Sequence, residues 1–488
     1  MVELDRIVQA LERAGLLVER RGELPQHVTG VTDNSRTVEV GGLFVAIRGT
    51  VADGHAYLEE AGEKGAAAAI VEDPSRTLLP VLVVRDGRRA AAVAAGAAYD
   101  DPACDLRMVA VTGTNGKTTT VGMLRHLLDE PGGSAASIGT LGVLVGSRGD
   151  QLPGGAGLTT PGPVELQRVL RSLHDGGVRT VAMEVSSHSL EQRRVDGVCF
   201  SAAVFTNFTR DHLDYHGTME AYFSAKSRLL DQLAPDAVAV VNADDPSWRD
   251  LPVRGRVVTF GIEAPRADVR ATDIVFGPRG SEWTLIAGGE SHRLRLPLIG
   301  AFNVANALGA AATAWAVGQP LARVVERLAT QPQVPGRLEI LAESPTVLRD
   351  YAHTADALER ALDAVRPFAS ERLIVVFGCG GDRDRGKRPV MGALAEQKAD
   401  WVIVTSDNPR TEDPERIIDE IVAGMKTTNH ERIEDRHAAI EHALDIARPR
   451  DVVLLAGKGH ETYQIRGSTR LPFDERVIVN ELMERHGA

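Results

Sequence analysis

The chain has 488 residues, enough for about three domains of ordinary size. Hydrophobic residues make up 43% and charged residues 25%, which excludes a disordered or fibrous chain. The formal net charge of −12 argues against a nucleic-acid or anionic-membrane surface, so any polyanionic ligand must be held by local clusters. The cysteines are few and far apart, and neither a signal segment nor an apolar run of about 18 residues occurs. We therefore expect a cytoplasmic protein with no nucleic-acid partner and no membrane insertion.

Apolar β-branched runs alternate along the chain with segments of helical spacing, which is typical of parallel sheets flanked by helices. Near the N-terminus the predicted strands are 42–49 and 66–74. Further along, a strand at 106–113 runs into a helix at 117–130, and three more strands are expected in the same sheet, at 178–187, 200–207 and 236–245. After residue 336 the alternation restarts, with strands at 371–381, 399–410 and 451–461 and helices from about residues 389 and 413.

The strongest local motif is TGTNGKTT at residues 112–119, between a predicted buried strand and a helix. Glycines in such a loop let backbone N–H groups approach phosphate oxygens, and the helix N-terminus adds positive potential. Lys117 could reach the terminal phosphates of a nucleotide, and Thr118 could bind Mg²⁺. The generic phosphate loop has a glycine where this chain has Val111. The motif predicts a nucleoside triphosphate site, and the alternative is a glycine-rich turn that only caps a helix.

These patterns predict a three-domain α/β protein with boundaries near residues 105 and 336. Residues 1–104 would form a small N-terminal α/β domain. Residues 105–336 would form a central parallel-sheet domain of the phosphate-loop type, and residues 337–488 a C-terminal Rossmann-like domain.

Further sequence blocks follow the phosphate loop in a fixed order. They are MEVSSHSL at 183–190, FTNFTRDHLDYHG at 205–217, FSAKSRLL at 223–230, GAFNVANALGA at 300–310, VPGRLEI at 334–340 and RDYAHTADAL at 349–358. With the block at 32–58 and the C-terminal motifs, they resemble the Mur ligase family over essentially the whole chain. The resemblance implies a UDP-binding first domain, a central ATPase domain and an amino-acid-binding last domain. It also implies a monomeric ligase that uses ATP to extend UDP-MurNAc-L-Ala-D-Glu through an acyl phosphate, in the peptidoglycan synthesis that supports cell shape and division.

The resemblance also assigns the catalytic and metal-binding residues. ATP would be the co-substrate, with two Mg²⁺ expected beside it. Lys117, His212 and Lys226 would be catalytic, with Lys226 carbamylated by CO₂ so that it can bridge or orient the metals. Thr118, Glu184, His212 and Lys226 would be the metal ligands. Taken singly, a strand-end carboxylate, a surface histidine and a solvated lysine are the ordinary interpretations of the last three.

The resemblance assigns two further sets of contacts. For ATP they are Gly113, Thr114, Asn115, Gly116, Lys117, Thr118, Thr119, Asn303, Arg337 and Asp350. For UDP-MurNAc-dipeptide they are Asp33, Ser35, Thr50, Val51, Ala52, Leu158, Thr159, Thr160, Ser186, Gln192 and Arg194. Leu158 departs from the family, whose members often carry Asn there. Helix capping, an interdomain salt bridge and turn formation remain alternative roles for residues in both sets.

A DNPR sequence at residues 407–410 ends a predicted strand near the C-terminus. An arginine fixed after proline can form a bidentate pair with a carboxylate, which lysine lacks at the end of its side chain. This favours diaminopimelate over lysine as the incoming amino acid, and the meso isomer is our expectation. Family members that add diaminopimelate imply the following contacts: Arg383, Asp407, Asn408, Pro409, Arg410, Gly457 and Glu461. Glu461 would bind the distal ammonium group, and an Arg–Glu pair that only stabilises the fold is the alternative.

Several other functions share parts of this pattern. A non-catalytic ATP-binding regulator of the same fold, a lysine-adding ligase and a folylpolyglutamate-type ligase remain alternatives. A dehydrogenase is set aside because no GxGxxG motif follows a predicted strand at the appropriate place.

Overall fold

The computed structural model describes residues 1–50, 52–155 and 157–487, so the predicted contact Val51 lies outside the described residues. The chain separates into two compact units. The first contains Met1–Arg270, Ala287–Glu290 and Asn306–Val324, and the second contains Ala271–Ile286, Ser291–Ala305 and the chain from Val325 onward.

The first unit begins with a small α/β layer. Its strands are β1 (Val2–Glu3), β2 (Leu17–Arg21), β3 (His27–Val28), β4 (Val31–Thr32), β5 (Leu43–Val45), β6 (Ala68–Val71) and β7 (Val81–Val84), and its helices are α1 (Leu4–Arg13), α2 (Leu58–Glu63) and α3 (Gly87–Ala98). Five strands form a sheet in the order β2-β7-β6-β5-β4, parallel except for β2. The strands predicted at 42–49 and 66–74 are confirmed as β5 and β6.

The first unit continues with a larger sheet. Its strands are β8 (Arg107–Thr112), β9 (Ser134–Gly139), β10 (Gly142–Val145), β11 (Asp150–Leu152), β12 (Val178–Glu184), β13 (Phe200–Phe205), β14 (Leu233–Asn242) and β15 (Arg256–Gly261). The helices between them are α4 (Lys117–Leu127), α5 (Pro163–Asp175), α6 (Ser187–Glu191), α7 (Leu213–His216) and α8 (Met219–Ser227). The strand order is β11-β10-β9-β12-β8-β13-β14-β15, so the four strands predicted for this sheet are confirmed.

The order and direction of these strands position the predicted nucleotide site. Strands β9, β12, β8, β13 and β14 run parallel, and their apolar residues are buried because helices cover the sheet. The carboxyl ends of β8, β12 and β13 therefore lie side by side at one edge of the sheet. The phosphate loop follows β8, Glu184 ends β12, and the segment 206–212 follows β13.

The chain then forms three strands and two helices before the C-terminal sheet. They are β16 (Val269–Gly277), β17 (Gly280–Ala287), β18 (Glu290–Leu296), α9 (Ala301–Ala316) and α10 (Leu321–Ala329). The start of β16 pairs with β15, through Val269 opposite Phe260 and Arg270 opposite Gly261.

The second unit contains a doubly wound sheet, as predicted. Its strands are β19 (Glu339–Glu343), β20 (Thr346–Asp350), β21 (Leu373–Phe377), β22 (Trp401–Val404), β23 (His430–Arg432) and β24 (Val452–Ala456), followed by the hairpin β25 (Tyr463–Arg466) and β26 (Thr469–Pro472). Its helices are α11 (Ala355–Val365), α12 (Lys387–Lys398), α13 (Pro414–Val422), α14 (Arg436–Ile446) and α15 (Glu475–Gly487). The sheet order is β19-β20-β24-β21-β22-β23, parallel except for β19. Separate apolar clusters cover its two faces, one with α11 to α13 and one with α14 and α15.

Across the described part of the chain, every helix is too short or too polar to cross a bilayer.

Candidate active site

The loop between β8 and α4 has the backbone geometry that a phosphate-binding loop needs. Gly113 and Gly116 have φ angles of +146° and +85°. A Cβ atom at Gly113 would collide with the Thr206 hydroxyl, and one at Gly116 would collide with the Asn306 side-chain oxygen. Only glycine fits both positions, so these two residues allow the sharp turn from β8 into α4.

Side chains from the end of β13 hold this loop in place. The Asn115 backbone N–H donates to the Asn207 Oδ1 at 2.9 Å, and the Thr206 hydroxyl donates to the Asn115 carbonyl at 2.7 Å. The Lys117 Nζ donates to the carbonyls of Gly113 at 3.0 Å and Thr114 at 2.8 Å. The Lys117 side chain therefore folds over the loop, where its ammonium group would contact the phosphates of a nucleotide.

Glu184 and two threonines lie at the same edge of the sheet. Thr118 and Thr119 are buried in the first turn of α4. Glu184 is the last residue of β12 and pairs in register with Val111 of β8. Its carboxylate is buried and accepts hydrogen bonds from the backbone N–H of Thr140 at 2.8 Å and from the Thr140 hydroxyl at 3.2 Å. The Glu184 carboxylate is thus fixed before any ligand binds.

Lys226 is fully buried, although it lies on a helix where a lysine is usually solvated. Its Nζ donates to the Gly113 carbonyl at 2.7 Å and lies 4.5 Å from the centre of the Tyr222 ring. Burial and the nearby charge of Lys117 hold the pKa of Lys226 well below its ordinary value, and Asp211 opposes this shift. A neutral amine is the form that can add CO₂, and this environment favours that form.

His212 belongs to a cluster of aromatic rings beside Lys226. It adopts a φ of +52° at the start of α7, a left-handed conformation that is uncommon for a residue other than glycine. Its ring packs edge-on against His188 at 4.8 Å and 6.0 Å from Tyr222. Partial burial and the charges of Lys117 and Lys226 lower the pKa of His212, against the effect of Asp211. The ring is therefore neutral near pH 7 and has a lone pair to offer a metal or a proton.

The donor types that the resemblance implies here are ones that Mg²⁺ accepts. Among the described residues, no three His, Cys, Asp or Glu side chains converge as a cage made only of protein ligands would demand. Mg²⁺ ordinarily keeps several waters and takes one or two carboxylates plus substrate phosphates, so fewer protein donors suffice. The Thr118 hydroxyl, the Glu184 carboxylate, the neutral His212 ring and a carbamate on Lys226 would be those donors.

The predicted UDP-MurNAc-dipeptide contacts of the N-terminal layer lie in two loops. Asp33 is exposed, with its Oδ2 beside Gly162, whereas Ser35 is buried and donates to the Glu60 Oε2 at 3.0 Å. Thr50 and Ala52 lie in a tight loop that the Gly49 N–H closes by donating to the Ala52 carbonyl at 2.9 Å.

Four of the residues predicted to hold the muramoyl peptide form one hydrogen-bonded network. The Thr160 hydroxyl donates to the Glu184 carbonyl at 2.9 Å and accepts from the Ser186 N–H at 3.1 Å. The Arg194 guanidinium donates to the Thr160 carbonyl at 2.9 Å and to the Gln192 Oε1 at 2.6 Å. The network joins this predicted peptide site to the strand that ends in Glu184.

The remaining two residues of this group lie beside the network. The Thr159 hydroxyl oxygen lies 3.4 Å from that of Thr140, and Leu158 is 48% exposed.

The predicted ATP contacts of the second unit have their own local partners. Asn303 is buried in α9 and donates to the Ile299 carbonyl at 2.8 Å. Arg337 stacks over the Tyr351 ring, with its guanidinium carbon 4.8 Å from the ring centre. Burial raises the pKa of Asp350 to about 6, opposed by the charge of Arg337 and by a hydrogen bond from the Leu338 N–H.

The DNPR segment lies directly after β22 and is paired with the β25–β26 hairpin. The Arg410 N–H donates to the Ile465 carbonyl at 3.0 Å, and the Ile465 N–H donates to the Asn408 Oδ1 at 2.9 Å. The Gln464 side chain donates to the Asp407 carbonyl at 2.8 Å. Like His212, Arg410 has a φ of +52°, and its guanidinium donates to the Gly381 carbonyl at 2.8 Å.

Glu461 joins this segment through Asn408. The Glu461 Oε2 accepts from the Asn408 Nδ2 at 2.8 Å and from the Lys458 Nζ at 3.2 Å. Arg410 and Glu461 are therefore fixed by the same short segment of chain, as recognition of a zwitterion would need.

Pro409, Gly457 and Arg383 complete the predicted amino-acid contacts. Pro409 is buried between Asn408 and Arg410. The Gly457 N–H donates to the Asp350 carbonyl at 3.0 Å. Arg383 is exposed in the loop after β21, where it donates to the Asp382 carbonyl at 3.3 Å.

Four residues in or beside these sites were not predicted from the sequence. Thr140 holds Glu184, Asn207 holds the phosphate loop, and the Tyr222 hydroxyl lies 3.3 Å from that of Thr114. Lys458 contacts Glu461. Asn207 stands inside the block at 205–217, and Lys458 lies between the predicted contacts Gly457 and Glu461, so nearness in sequence to predicted site residues was the available signal. For Thr140 the sequence carries no such signal.

Models of known protein families match the chain along most of its length. Three family models match in chain order: the Mur ligase family catalytic domain at residues 27–102, the Mur ligase middle domain at 111–314 and the Mur ligase glutamate ligase domain at 336–459.

Individual relatives match over nearly the whole chain. The UDP-N-acetylmuramoyl-L-alanyl-D-glutamate–2,6-diaminopimelate ligase of Synechococcus elongatus is 44% identical, over 95% of this chain and 97% of the relative. The ligase of the same name from Caulobacter vibrioides is 45% identical over 94% and 96%. A solved structure of a ligase of that name has a TM-score of 0.68 and 33% identity, and the match covers 96% of this chain and 98% of that one. This chain belongs to the Mur ligase family.

Proposed function

We propose that this chain is an ATP-dependent ligase that joins 2,6-diaminopimelate to the D-glutamate of UDP-MurNAc-L-Ala-D-Glu, in the synthesis of peptidoglycan precursors. The observation that carries the proposal is the likeness, at 44% identity over 95% of the chain, to a relative named for this reaction. The match spans both the phosphate loop and the DNPR segment. The comparisons do not favour the regulator, the lysine-adding ligase or the folylpolyglutamate-type ligase.

The first step would join the substrate carboxylate to the terminal phosphoryl group of ATP. A carboxylate oxygen attacks the γ-phosphorus, the bond between that phosphorus and the β–γ bridging oxygen breaks, and ADP leaves. Negative charge accumulates on the transferring group, so catalysis depends on groups placed before the reaction starts. The N-terminus of α4 and the Lys117 ammonium group would face that charge in the proposed site. Mg²⁺ bound by Thr118 and Glu184 would neutralise part of the phosphate charge.

The second step would form the amide bond. The neutral amine of diaminopimelate attacks the carbonyl carbon of the acyl phosphate, phosphate leaves with the electron pair of the broken C–O bond, and the amine nitrogen loses a proton. His212 has a neutral ring near pH 7, and a carbamate on Lys226 would replace a buried amine by an anion beside it. The neutral ring and the carbamate anion would both interact with the charges that develop during the reaction.

Selection of the amino acid would take place in the second unit. Arg410 offers a guanidinium fork to the distal carboxylate of diaminopimelate, and Glu461 offers a carboxylate to the distal ammonium group. L-Lysine has no distal carboxylate, so it would leave Arg410 without its partner. Loss of a charge-assisted hydrogen bond of this type weakens binding by about 1.5 to 3 kcal/mol.

Phosphate release by the purified protein tests the proposal. The assay contains ATP, Mg²⁺ and UDP-MurNAc-L-Ala-D-Glu, with meso-diaminopimelate, LL-diaminopimelate or L-lysine as the third substrate. We expect turnover with a diaminopimelate isomer, the meso form in particular, and little with lysine. Preference for lysine would contradict the role of Arg410 alone. Absence of turnover with all three, from a folded protein that binds ATP, would contradict the ligase function.

A further inference from the structure

Lys458 is the most completely buried lysine of the second unit and has no role in the function proposed above. Its side chain is 0% exposed. The Nζ atom lies 3.2 Å from the Glu461 Oε2 and 3.3 Å from the Asn408 Oδ1. Lysine is almost never fully buried unless a partner compensates it, so such a contact set at a predicted substrate site needs an explanation.

The surroundings of Lys458 restrict where its side chain can point. The Nζ lies 5.7 Å from the centre of the Tyr463 ring and 5.8 Å from that of Phe473. These aromatic walls and the two oxygen partners leave the ammonium group directed at the Glu461 carboxylate. Lys458 also stands three residues before Glu461, within one turn of the same loop.

The contacts of Glu461 are divided unevenly between its two oxygens. Lys458 and Asn408 both hydrogen-bond to Oε2. Among the described residues, no other side-chain hydrogen bond reaches this carboxylate, and 13% of the Glu461 side chain is exposed. One oxygen is therefore held from inside the protein, and Oε1 is the oxygen available to a ligand.

The charged groups at the predicted amino-acid site explain why Glu461 needs a fixed partner. The distal end of diaminopimelate carries one carboxylate and one ammonium group, so it is neutral overall. Arg410 and Lys458 supply two positive groups, and Asp407 and Glu461 supply two negative ones. Without Lys458 the Glu461 carboxylate would be poorly compensated inside the protein and free to rotate about its side-chain bonds.

We propose that Lys458 is a positioning residue for amino-acid selection: it fixes the Glu461 carboxylate so that Oε1 receives the distal ammonium group of diaminopimelate. The proposal rests on the proposed ligase function. The geometry of the Asn408–Lys458–Glu461 cluster supports it, because Asn408 and Lys458 hold Oε2 of Glu461 and leave Oε1 for a ligand. A group that is misplaced by about 1 Å can lose a hundredfold in rate, so a residue that only orients Glu461 has a measurable effect.

Four forms of the full-length enzyme test the proposal: wild type, Lys458→Met, Glu461→Gln and the double variant Lys458→Met/Glu461→Gln. For each form, KM and kcat are measured with meso-diaminopimelate, ATP and UDP-MurNAc-L-Ala-D-Glu. We expect Lys458→Met to raise KM for diaminopimelate about tenfold or more, with KM for ATP and for the UDP substrate within about twofold of wild type. In the Glu461→Gln background, the same substitution should add little to KM for diaminopimelate, because its target is already altered.

A structural role alone would give different results. Arg372→Met is the matched control, because Arg372 also forms an ion pair with a buried carboxylate, that of Asp451. Arg372 lies just before β21, at the amino end of that strand. This variant should lower the melting temperature without changing KM for diaminopimelate relative to KM for ATP. An unchanged or lower KM for diaminopimelate in Lys458→Met, equal losses for all three substrates, or losses that simply add in the double variant would each overturn the proposal.

If Lys458→Met does not fold, the comparison of the double variant with Glu461→Gln decides: equal KM values for diaminopimelate support the proposal, and a much higher value in the double variant overturns it. If wild-type enzyme shows no turnover with diaminopimelate, the ligase function itself fails, which is distinct from any difference among the variants.

Discussion

Lys226 and Lys458 are both fully buried lysines at predicted substrate sites, yet their surroundings differ in kind. Lys226 donates to a backbone carbonyl, lies over a tyrosine ring and has the positive charge of Lys117 nearby. Lys458 contacts a carboxylate and an amide oxygen. The first environment favours the neutral amine, as its strongly lowered pKa shows. The second provides the counter-charge that a buried ammonium group requires.

The difference shows that burial by itself does not assign a lysine its role. A buried amine that is not hydrogen-bonded to a carboxylate is shifted toward its neutral, nucleophilic form, and CO₂ is a small electrophile that it could take up. A buried ammonium group with a carboxylate partner becomes a fixed part of the scaffold. The predictions below test whether the two sites respond to substitution as this comparison requires.

Replacement of Lys226 should have the largest effect. Lys226→Ala removes the atom that would carry the carbamate, so we expect kcat to fall about a thousandfold, the scale seen when a preorganised catalytic charge is lost. A small carboxylic acid such as acetate should restore part of the activity by occupying the vacated space with an anion. The measurement is phosphate release with and without acetate.

Lys226→Arg is the matched control for this prediction. Arginine fills similar space but does not add CO₂ under these conditions, because it stays protonated. It should be as inactive as the alanine variant and should not respond to acetate. Activity near the wild-type level in either variant would exclude a carbamate on Lys226.

Replacement of Arg410 should have the next largest effect, and one confined to a single substrate. Arg410→Ala removes the fork that faces the distal carboxylate, so KM for meso-diaminopimelate should rise by about 10- to 100-fold. KM for ATP should stay within about twofold, because the charge-assisted pair that is lost involves only the amino acid. Steady-state kinetics with each substrate varied in turn gives both numbers. Equal losses for ATP and diaminopimelate would refute selection by Arg410.

Replacement of Arg388 should affect stability more than chemistry. Arg388 is fully buried and donates to Glu412 at 2.9 Å and to Glu420 at 2.7 Å. Arg388→Met leaves both carboxylates without that partner, so we expect the free energy of unfolding to fall by about 3 kcal/mol. Urea unfolding followed by circular dichroism measures the change. A loss below about 1 kcal/mol would show that water replaces the guanidinium at little cost.

The same pair predicts a pH dependence. The hydrogen bond from Arg388, together with the Asp382 N–H, lowers the pKa of Glu412 to about 2 from an ordinary value near 4.5. The folded state thus binds fewer protons here than the unfolded state. This contribution is fully present above about pH 4.5 and is lost as pH falls toward 2. Acid unfolding of Arg388→Met should therefore depend less steeply on pH in this window than that of the wild type.

The sequence predicted several buried strands and the phosphate-loop motif because both are local. Strand β8 is a continuous apolar run that two helical layers bury, and the glycines and Lys117 follow it directly. The DNPR segment was visible for the same reason. Local sequence patterns could not predict several contacts at the sites, because these contacts join residues far apart in the chain. Thr140 reaches Glu184 across 44 positions, and Asn408 reaches Glu461 across 53.

The burial of single side chains was equally hidden from the sequence. Lys226 lies on a short helix and Lys458 in a loop, where a solvated lysine is the ordinary expectation. Only tertiary packing distinguishes them from the exposed lysines of the chain. The roles of the site residues themselves remain predictions, because they depend on ligands whose contacts must be measured.

The smallest effect is expected where a cation is exposed, which completes the comparison with the buried ones. Arg432 pairs with Glu415 at 3.0 Å and Asp419 at 2.7 Å, and all three side chains are at least 42% exposed. Arg432→Ala should lower the free energy of unfolding by less than about 1 kcal/mol, and added salt should reduce even that difference, because water and ions already screen the pair. Urea unfolding of this variant beside Arg388→Met measures both cations in one background. A loss as large as that of Arg388→Met would mean that the number of ion-pair partners, rather than burial, sets how much a cation stabilises this fold.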